Sequence, residues 1–283
     1  RKTIPLDSFL SYKLPLPPLS EQQAIVAYLD EQTGKIDQAI EREQKMIDLL
    51  NERKQIIIQQ AVTKGLNPNA PLKHSGIDWI GQIPQHWEVR KTARLYSGIG
   101  SGTTPDSSNA NYYTENGFNW LQTGDLNDGE IFATSKHITN RAIEEKSLRF
   151  YPIDSIVIAM YGATIGKVGV LKIETTTNQA CCLLPPNERV NNSYMKFVYQ
   201  AAKLELIRWS AGGGQPNISQ GIIRNLMVPL PPIEEQSEIL NYLKKQLFSI
   251  DRAIEAREKL IFLLQERKQI IINEVVTGKI KVS

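Results

Sequence analysis

The sequence predicts an α+β protein: one mixed domain flanked by two long helices that pair as an antiparallel, coiled-coil-like hairpin. Three observations predict it. Leu14–Thr63 repeats as Val228–Thr277 at a constant offset of 214, without a gap, and 28 of the 50 pairs are identical. Within each copy, apolar residues recur at three- and four-residue steps with no proline to interrupt them. Between the copies the pattern changes to short β-like runs, Gly- and Asn-rich loops and one helical stretch. A gap-free duplicate around a different middle reads as scaffold, cargo, scaffold, and such repeats are weighed before any local signal.

The first copy opens on Leu16-Pro17-Pro18, and the second on Leu230-Pro231-Pro232. Proline cannot continue a helix but can precede one. Ser20 with Gln23 fits a capping box, with Glu21 in the electropositive first turn. The stripe then runs through Ile25, Leu29, Ile36, Ile40, Ile47, Leu50, Ile57 and Ala61. Its copy runs through Ile239, Leu243, Ile250, Ile254, Ile261, Leu264, Ile271 and Val275. Heptad-like spacing asks for a long partner helix. A 40-residue helix would span roughly 60 Å at ~1.5 Å per residue. Gly34 is a weak point where the first helix can bend without stopping. The best partner for one copy is the other, because a helix leaving the middle domain and one entering it run antiparallel. The seam is expected at Ile36, Ile40, Glu43, Ile47 and Leu50 against Ile250, Ile254, Arg257, Ile261 and Leu264. Glu43 and Arg257 are equivalent positions of opposite charge, and near the midpoint of an antiparallel pair equivalent positions meet.

Residues 1–19 form a leading segment and proline clasp, 20–65 the first helix, 66–227 the middle domain, and 228–283 the second clasp and helix. Gly65–Pro84 reads as a linker, punctuated by Asn67-Pro68-Asn69-Ala70-Pro71, Gly76, Gly81 and Pro84. Strands are expected at Trp87–Arg90, Ile156–Met160, Val168–Ile173 and Gln179–Leu184, and a helix at Ser193–Ser210.

Composition excludes several classes. The chain of 283 residues has 41% hydrophobic and 22% charged residues, ordinary for a water-soluble protein. No run approaches the ~18 apolar residues of a membrane span, and the expected location is the cytoplasm. Cys181 and Cys182 are neighbours in an apolar run and read as a buried strand pair in a reducing compartment. Net charge is +3, and residues 66–227 carry 15 Lys+Arg against 13 Asp+Glu. That is not the footprint of a protein that grips nucleic acid by charge alone.

Catalytic and cofactor signatures are missing. Gly162-Ala163-Thr164-Ile165-Gly166-Lys167-Val168 has one residue too few between its glycines for a phosphate loop, and Val168 follows the lysine where Ser or Thr is needed. It reads as a tight turn between apolar strands. His74, His86 and His137 lack metal-ligand spacing. No nucleophile or paired-carboxylate constellation appears, so the chain reads as a non-enzyme with no cofactor and no metal.

Polar groups that suit a base reader cluster in two stretches. Asn109–Asp125 holds Tyr112, Gln122 and Thr123. Ser135–Arg149 holds Lys136, His137, Arg141, Lys146 and Arg149. Arg and Lys suit guanine edges and phosphates, while Asn and Gln suit adenine. The loop Gly98–Pro105, with Ser101, Thr103 and Thr104, can approach a phosphate backbone through N–H and hydroxyl groups.

Several strings together resemble the specificity (S) subunit of type I restriction-modification systems. They are Ile83-Pro84-Gln85-His86-Trp87-Glu88-Val89, Ser101-Gly102-Thr103-Thr104-Pro105 and Trp120-Leu121-Gln122-Thr123-Gly124-Asp125-Leu126. Further along come Ile158–Lys167, Thr177-Asn178-Gln179-Ala180-Cys181-Cys182 and Gly212–Gln220. A Glu-Gln pair follows each proline clasp. The resemblance implies a target-recognition domain at residues 66–227 that reads one half of a bipartite DNA site. Gln215 and Asn217 in the last string join the candidate DNA contacts. It implies helices that act as a ruler and dock a methyltransferase (M) subunit, the partner that binds S-adenosylmethionine. Double-stranded DNA, the M subunit, the restriction (R) subunit and a second copy of this chain are the partners to expect. Arg1–Lys13 aligns with Gln215–Met227, the tail of such a domain. This implies that a preceding domain is largely missing and that the form is half-length. The residues leave a rival open, a helical interaction module whose middle domain reads nothing.

Overall fold

The computed structural model describes Ser11, residues 15–210 and residues 217–282. It is an α+β chain in which a mixed domain lies in sequence between two long helices that contact each other. Two compact units emerge: residues 55–246, and residues 1–54 taken with 247–283.

In the second of these units the arms of the helices Leu19–Lys64 and Ile233–Val276 pair. The first helix passes Gly34 without a break. Ile36, Ile47 and Ile250 are buried, and Ile40, Leu50, Ile254, Ile261 and Leu264 are half-buried. Arg257 donates to Glu43 at 2.6 Å. Lys54 reaches Asp251 at 2.5 Å and Lys268 reaches Asp37 at 2.6 Å. Those last two contacts are one contact seen twice, because the offset of 214 carries Asp37 to Asp251 and Lys54 to Lys268. The pair is thus close to two-fold symmetric about the Glu43–Arg257 contact.

The first helix starts at Leu19, one residue before the expected cap. Ser20 therefore lies inside the helix, and the start is closed by Gln22, whose Nε2 donates to the Pro17 carbonyl at 2.8 Å. Gln236 repeats this bond to Pro231 at 3.0 Å.

In residues 55–246, the stretch expected as a linker carries a hairpin, Leu72–His74 against Gln82–Pro84. A second two-stranded sheet pairs Glu88–Lys91 with Met227–Leu230, joining the start of the domain to its end. The main sheet has five strands in the order Gly100–Ser101, Cys181–Leu184, Ile156–Ala159, Val168–Leu171, Glu130–Ile131. All neighbours are antiparallel except the last pair. Its central strands are buried on both faces, which is why they read as apolar runs rather than alternating ones. The expected helix is two, Asn192–Ala201 and Lys203–Arg208. The first packs on Val168–Leu171. A smaller sheet orders Thr176–Thr177, Phe118–Leu121, His137–Ile138 and Tyr113–Thr114 around a core of Tyr112, Trp120, Ile138, Ala142 and Leu148.

Cys181 and Cys182 are buried and unbridged, and burial pushes each thiol up to about 12. No helix among the described residues is long and apolar enough to cross a membrane.

Candidate nucleic-acid interface

Gly98–Pro105 is more ordered than a flexible loop. Gly100–Ser101 forms the edge strand of the main sheet beside Cys182 and Leu183. Gly102 then passes so close to the neighbouring chain that a Cβ there would overlap the Thr177 carbonyl oxygen, 1.7 Å away. Only glycine fits. The Ser101 hydroxyl receives Gln220 Nε2 at 2.8 Å, and the Thr104 hydroxyl bonds the Gln179 side chain. The Thr103 carbonyl receives the Trp120 indole N–H at 3.3 Å, and the Pro105 carbonyl receives the Tyr113 hydroxyl at 2.7 Å. Residues 101–105 are therefore a strap fastened to both sheets, with Thr103 and Thr104 exposed on it.

Other loops leave the main sheet at the same end of its strands. The Ile158–Lys167 string forms a hairpin, closed by Gly166 N–H to the Ala159 carbonyl at 2.9 Å and Ala159 N–H to the Lys167 carbonyl at 2.9 Å. Ile218 N–H bonds the Met160 carbonyl at 2.8 Å, which sets exposed Asn217 beside that hairpin. Gln215 lies outside the described residues. Gln179 and Gln220 were not among the expected contacts. Both sit inside the strings that carry the family resemblance.

The second group is built on the smaller sheet. Asp125 ties two loops together, accepting Gln122 N–H at 2.8 Å and Ser135 N–H at 3.1 Å. This brings half-buried Gln122 and Thr123 near exposed Lys136. His137 is half-buried in its strand, opposite Asn119 and Thr114. Helix Asn140–Lys146 is capped by Thr139, whose side chain accepts Ala142 N–H. It presents exposed Arg141, held by Glu145 at 2.7 Å. Tyr112 is buried, 5% exposed, and donates its hydroxyl to Glu145 at 2.6 Å. That hydroxyl bond, and then Arg141, hold the Glu145 carboxyl below the usual carboxylate range. Lys146 stands over the Tyr112 ring at 5.4 Å and Arg149 over the Tyr151 ring at 4.8 Å. Arg149 also lies against Gly98 and Gly100, so it joins this group to the strap.

The domain thus presents exposed hydroxyls and amides on the strap, with Arg149 beside it, and three further cations, Lys136, Arg141 and Lys146, on the smaller sheet and its helix. Such a surface can meet phosphates through fixed N–H and O–H groups and base edges through longer side chains. Among the described residues there is no group of three or more His, Cys, Asp or Glu able to hold a metal.

The family model described as "Type I restriction modification DNA specificity domain" matches residues 84–261. The MjaVIII specificity subunit of a type I restriction enzyme from Methanocaldococcus jannaschii is 31% identical, covering 97% of this chain and 63% of its own length. A putative MjaX specificity subunit from the same organism is 30% identical, covering 95% of this chain and 60% of its own. A chain in a solved structure concerned with complex assembly and conformational transition of the type I R-M system shares the fold. Its TM-score is 0.71 at 20% identity, over 93% of this chain and 60% of that one. The chain spans about three fifths of the length of the relatives it matches. With the family model covering well over half of its residues, this chain belongs to the type I restriction-modification DNA specificity family.

Proposed function

We propose that this chain is a non-catalytic DNA-recognition subunit whose domain at residues 66–227 reads a half-site in double-stranded DNA. The observation that carries the reading is the strap at residues 101–105, fastened to both sheets, with Arg149 against the glycines that lead into it. In this reading Ser101, Thr103, Thr104 and Asn217, with Gln215, meet the sugar-phosphate backbone. Gln122, Thr123, Lys136, His137, Arg141, Lys146 and Arg149 face base edges. Tyr112 acts from beneath by holding Glu145.

The near-balanced charge supports a shared interface, in which a methyltransferase subunit carrying S-adenosylmethionine supplies further phosphate contacts. The helix pair docks that subunit and spaces the half-sites, with the restriction subunit and a second copy of this chain as further partners. The setting is the cytoplasm, where the DNA is.

Methylation mapping in cells expressing the system identifies the site. Binding of the assembled complex to that duplex and to a scrambled one then tests the reading. Preference for the mapped duplex is expected. Equal affinity would favour an interaction module with a silent middle domain, a role that the exposed Phe248, Phe262 and Leu263 on the second helix would also suit.

A further inference from the structure

One carboxylate at the start of the second long helix makes two polar contacts with the recognition domain. Glu235, in its first turn, accepts the Trp87 indole N–H at 2.9 Å and bonds His86 Nε2 at 2.8 Å. Trp87 is fully buried while the Glu235 side chain is partly exposed, so this is a charge-assisted bond at the rim of the core. The other carboxylate oxygen lies beside Gly65, where the first long helix ends. A Cβ on Gly65 would stand 3.1 Å from that oxygen and 3.2 Å from the Trp87 ring. The next residue, Gln236, is 1% exposed and accepts Asn191 N–H at 2.9 Å. Asn191 in turn caps the helix Asn192–Ala201. Two adjacent side chains therefore hold two separate parts of the domain, the His86-Trp87 turn and the start of the helix on the main sheet, and the first of them also lies against the end of the first helix.

The repeat supplies an internal control. Glu21 and Gln22 occupy the positions equivalent to Glu235 and Gln236. Gln22 closes its helix start just as Gln236 does, at 2.8 Å against 3.0 Å. Glu21 is exposed and has no side-chain partner among the described residues. The first helix therefore starts without the bonds that Glu235 makes. A glutamate in the first turn favours any helix through the macrodipole, and both copies share that benefit. The bonds to Trp87 and His86 are additional, and they act on the domain rather than on the helix.

We propose that Glu235 is a positioning residue that fixes the orientation of the recognition domain on the second helix, with Gln236 as the second fixed point. A body held at one point swivels, whereas contacts at Trp87 and at Asn191 remove that freedom. The functional meaning of this orientation rests on the reading proposed above.

Spin labels at Glu115→Cys on the domain and Lys244→Cys on the helix, both exposed positions, report it in the full chain by electron–electron distance measurement. Cys181 and Cys182 are buried and stay unlabelled. The parent is expected to give one narrow distance peak. Glu235→Ala and Trp87→Phe, which keeps an aromatic ring but removes the indole N–H, should each split or spread that peak. Glu235→Gln keeps an acceptor for the indole and should restore most of it. One unchanged narrow peak in both Glu235→Ala and Trp87→Phe overturns the proposal. Should Glu235→Ala not fold, Trp87→Phe and Glu235→Gln decide. Binding of the unlabelled parent complex to the mapped and scrambled duplexes runs alongside. A loss of sequence preference there would sink the reading role and leave the distance result standing on its own.

Discussion

Arg257 donates to Glu43 across the helix pair at 2.6 Å, and the two are one position of a duplicated sequence. The flanking contacts Lys54–Asp251 and Lys268–Asp37 repeat each other on either side. One of the three pairs that differ in sign between the copies (Asp30/Lys244, Glu31/Lys245 and Glu43/Arg257) thus sits where the pseudo-symmetry demands self-contact.

Arg257→Ala is expected to destabilise the chain by about 1 kcal/mol, since the pair is only partly shielded from water. Arg257→Glu should cost more, and the exchange Glu43→Arg with Arg257→Glu should recover most of the loss. Urea unfolding of the parent, Glu43→Arg, Arg257→Glu and the double exchange closes a double-mutant cycle and measures the coupling. Zero coupling would remove the pair from the seam.

Gly102→Ala must displace either the strap or Thr177, because its Cβ would overlap the Thr177 carbonyl. A stability loss of roughly 1–3 kcal/mol is expected, as for other overpacked sites. DNA binding should fall with it. Thermal unfolding and a binding isotherm on one preparation check both, and an unshifted midpoint would contradict the close approach.

Lys136→Ala and Arg141→Ala should each weaken binding to the mapped duplex by about 1–3 kcal/mol if bidentate to a base. Glu145→Gln should act in the opposite direction, because it frees Arg141 and removes a negative charge beside it. Titrations at one fixed salt concentration are required, since phosphate contacts make affinity salt-dependent. Unchanged affinity in both alanine variants would take Ser135–Arg149 out of the interface.

Alkaline pH should destabilise the fold in two stages. Cys181 and Cys182 have thiols raised by burial to about 12, from an ordinary value of 9.0. Their neutral forms are favoured in the folded state, so that stability is fully present below pH 9 and is lost as pH rises towards 12. Tyr96, Tyr194 and Tyr199 are also raised by burial from 10.0 and add to the loss at higher pH. Denaturation midpoints between pH 8 and 11 follow this, and thiol-specific reagents at pH 8 should label only unfolded chains. Rapid labelling of the native protein would show that the two sulfurs are accessible.

The repeat, the long helices and their seam were legible because they are written in period and in duplicated strings. The smaller sheet was not. Tyr113–Thr114, His137–Ile138 and Thr176–Thr177 are two residues each, too short for an alternating pattern to register. The start of the first helix was misplaced by one residue, because a glutamine reaching back to a proline carbonyl competes with the serine cap. In the candidate interface, composition found the exposed cations but not what holds them. Gln220 meets Ser101 across 119 positions, and Tyr112 meets Glu145 across 33. Pairings at such separation leave no local trace, so Tyr112 read as a surface group although its ring is buried.

Gln22 and Gln236 each bond the proline carbonyl five residues behind them, so each long helix begins on its own chemistry. Everything between the first helix and the second clasp is then a cassette. Its contents can be exchanged or reshaped without rewriting the instructions that start either helix, provided that a tryptophan and a backbone amide remain to meet Glu235 and Gln236.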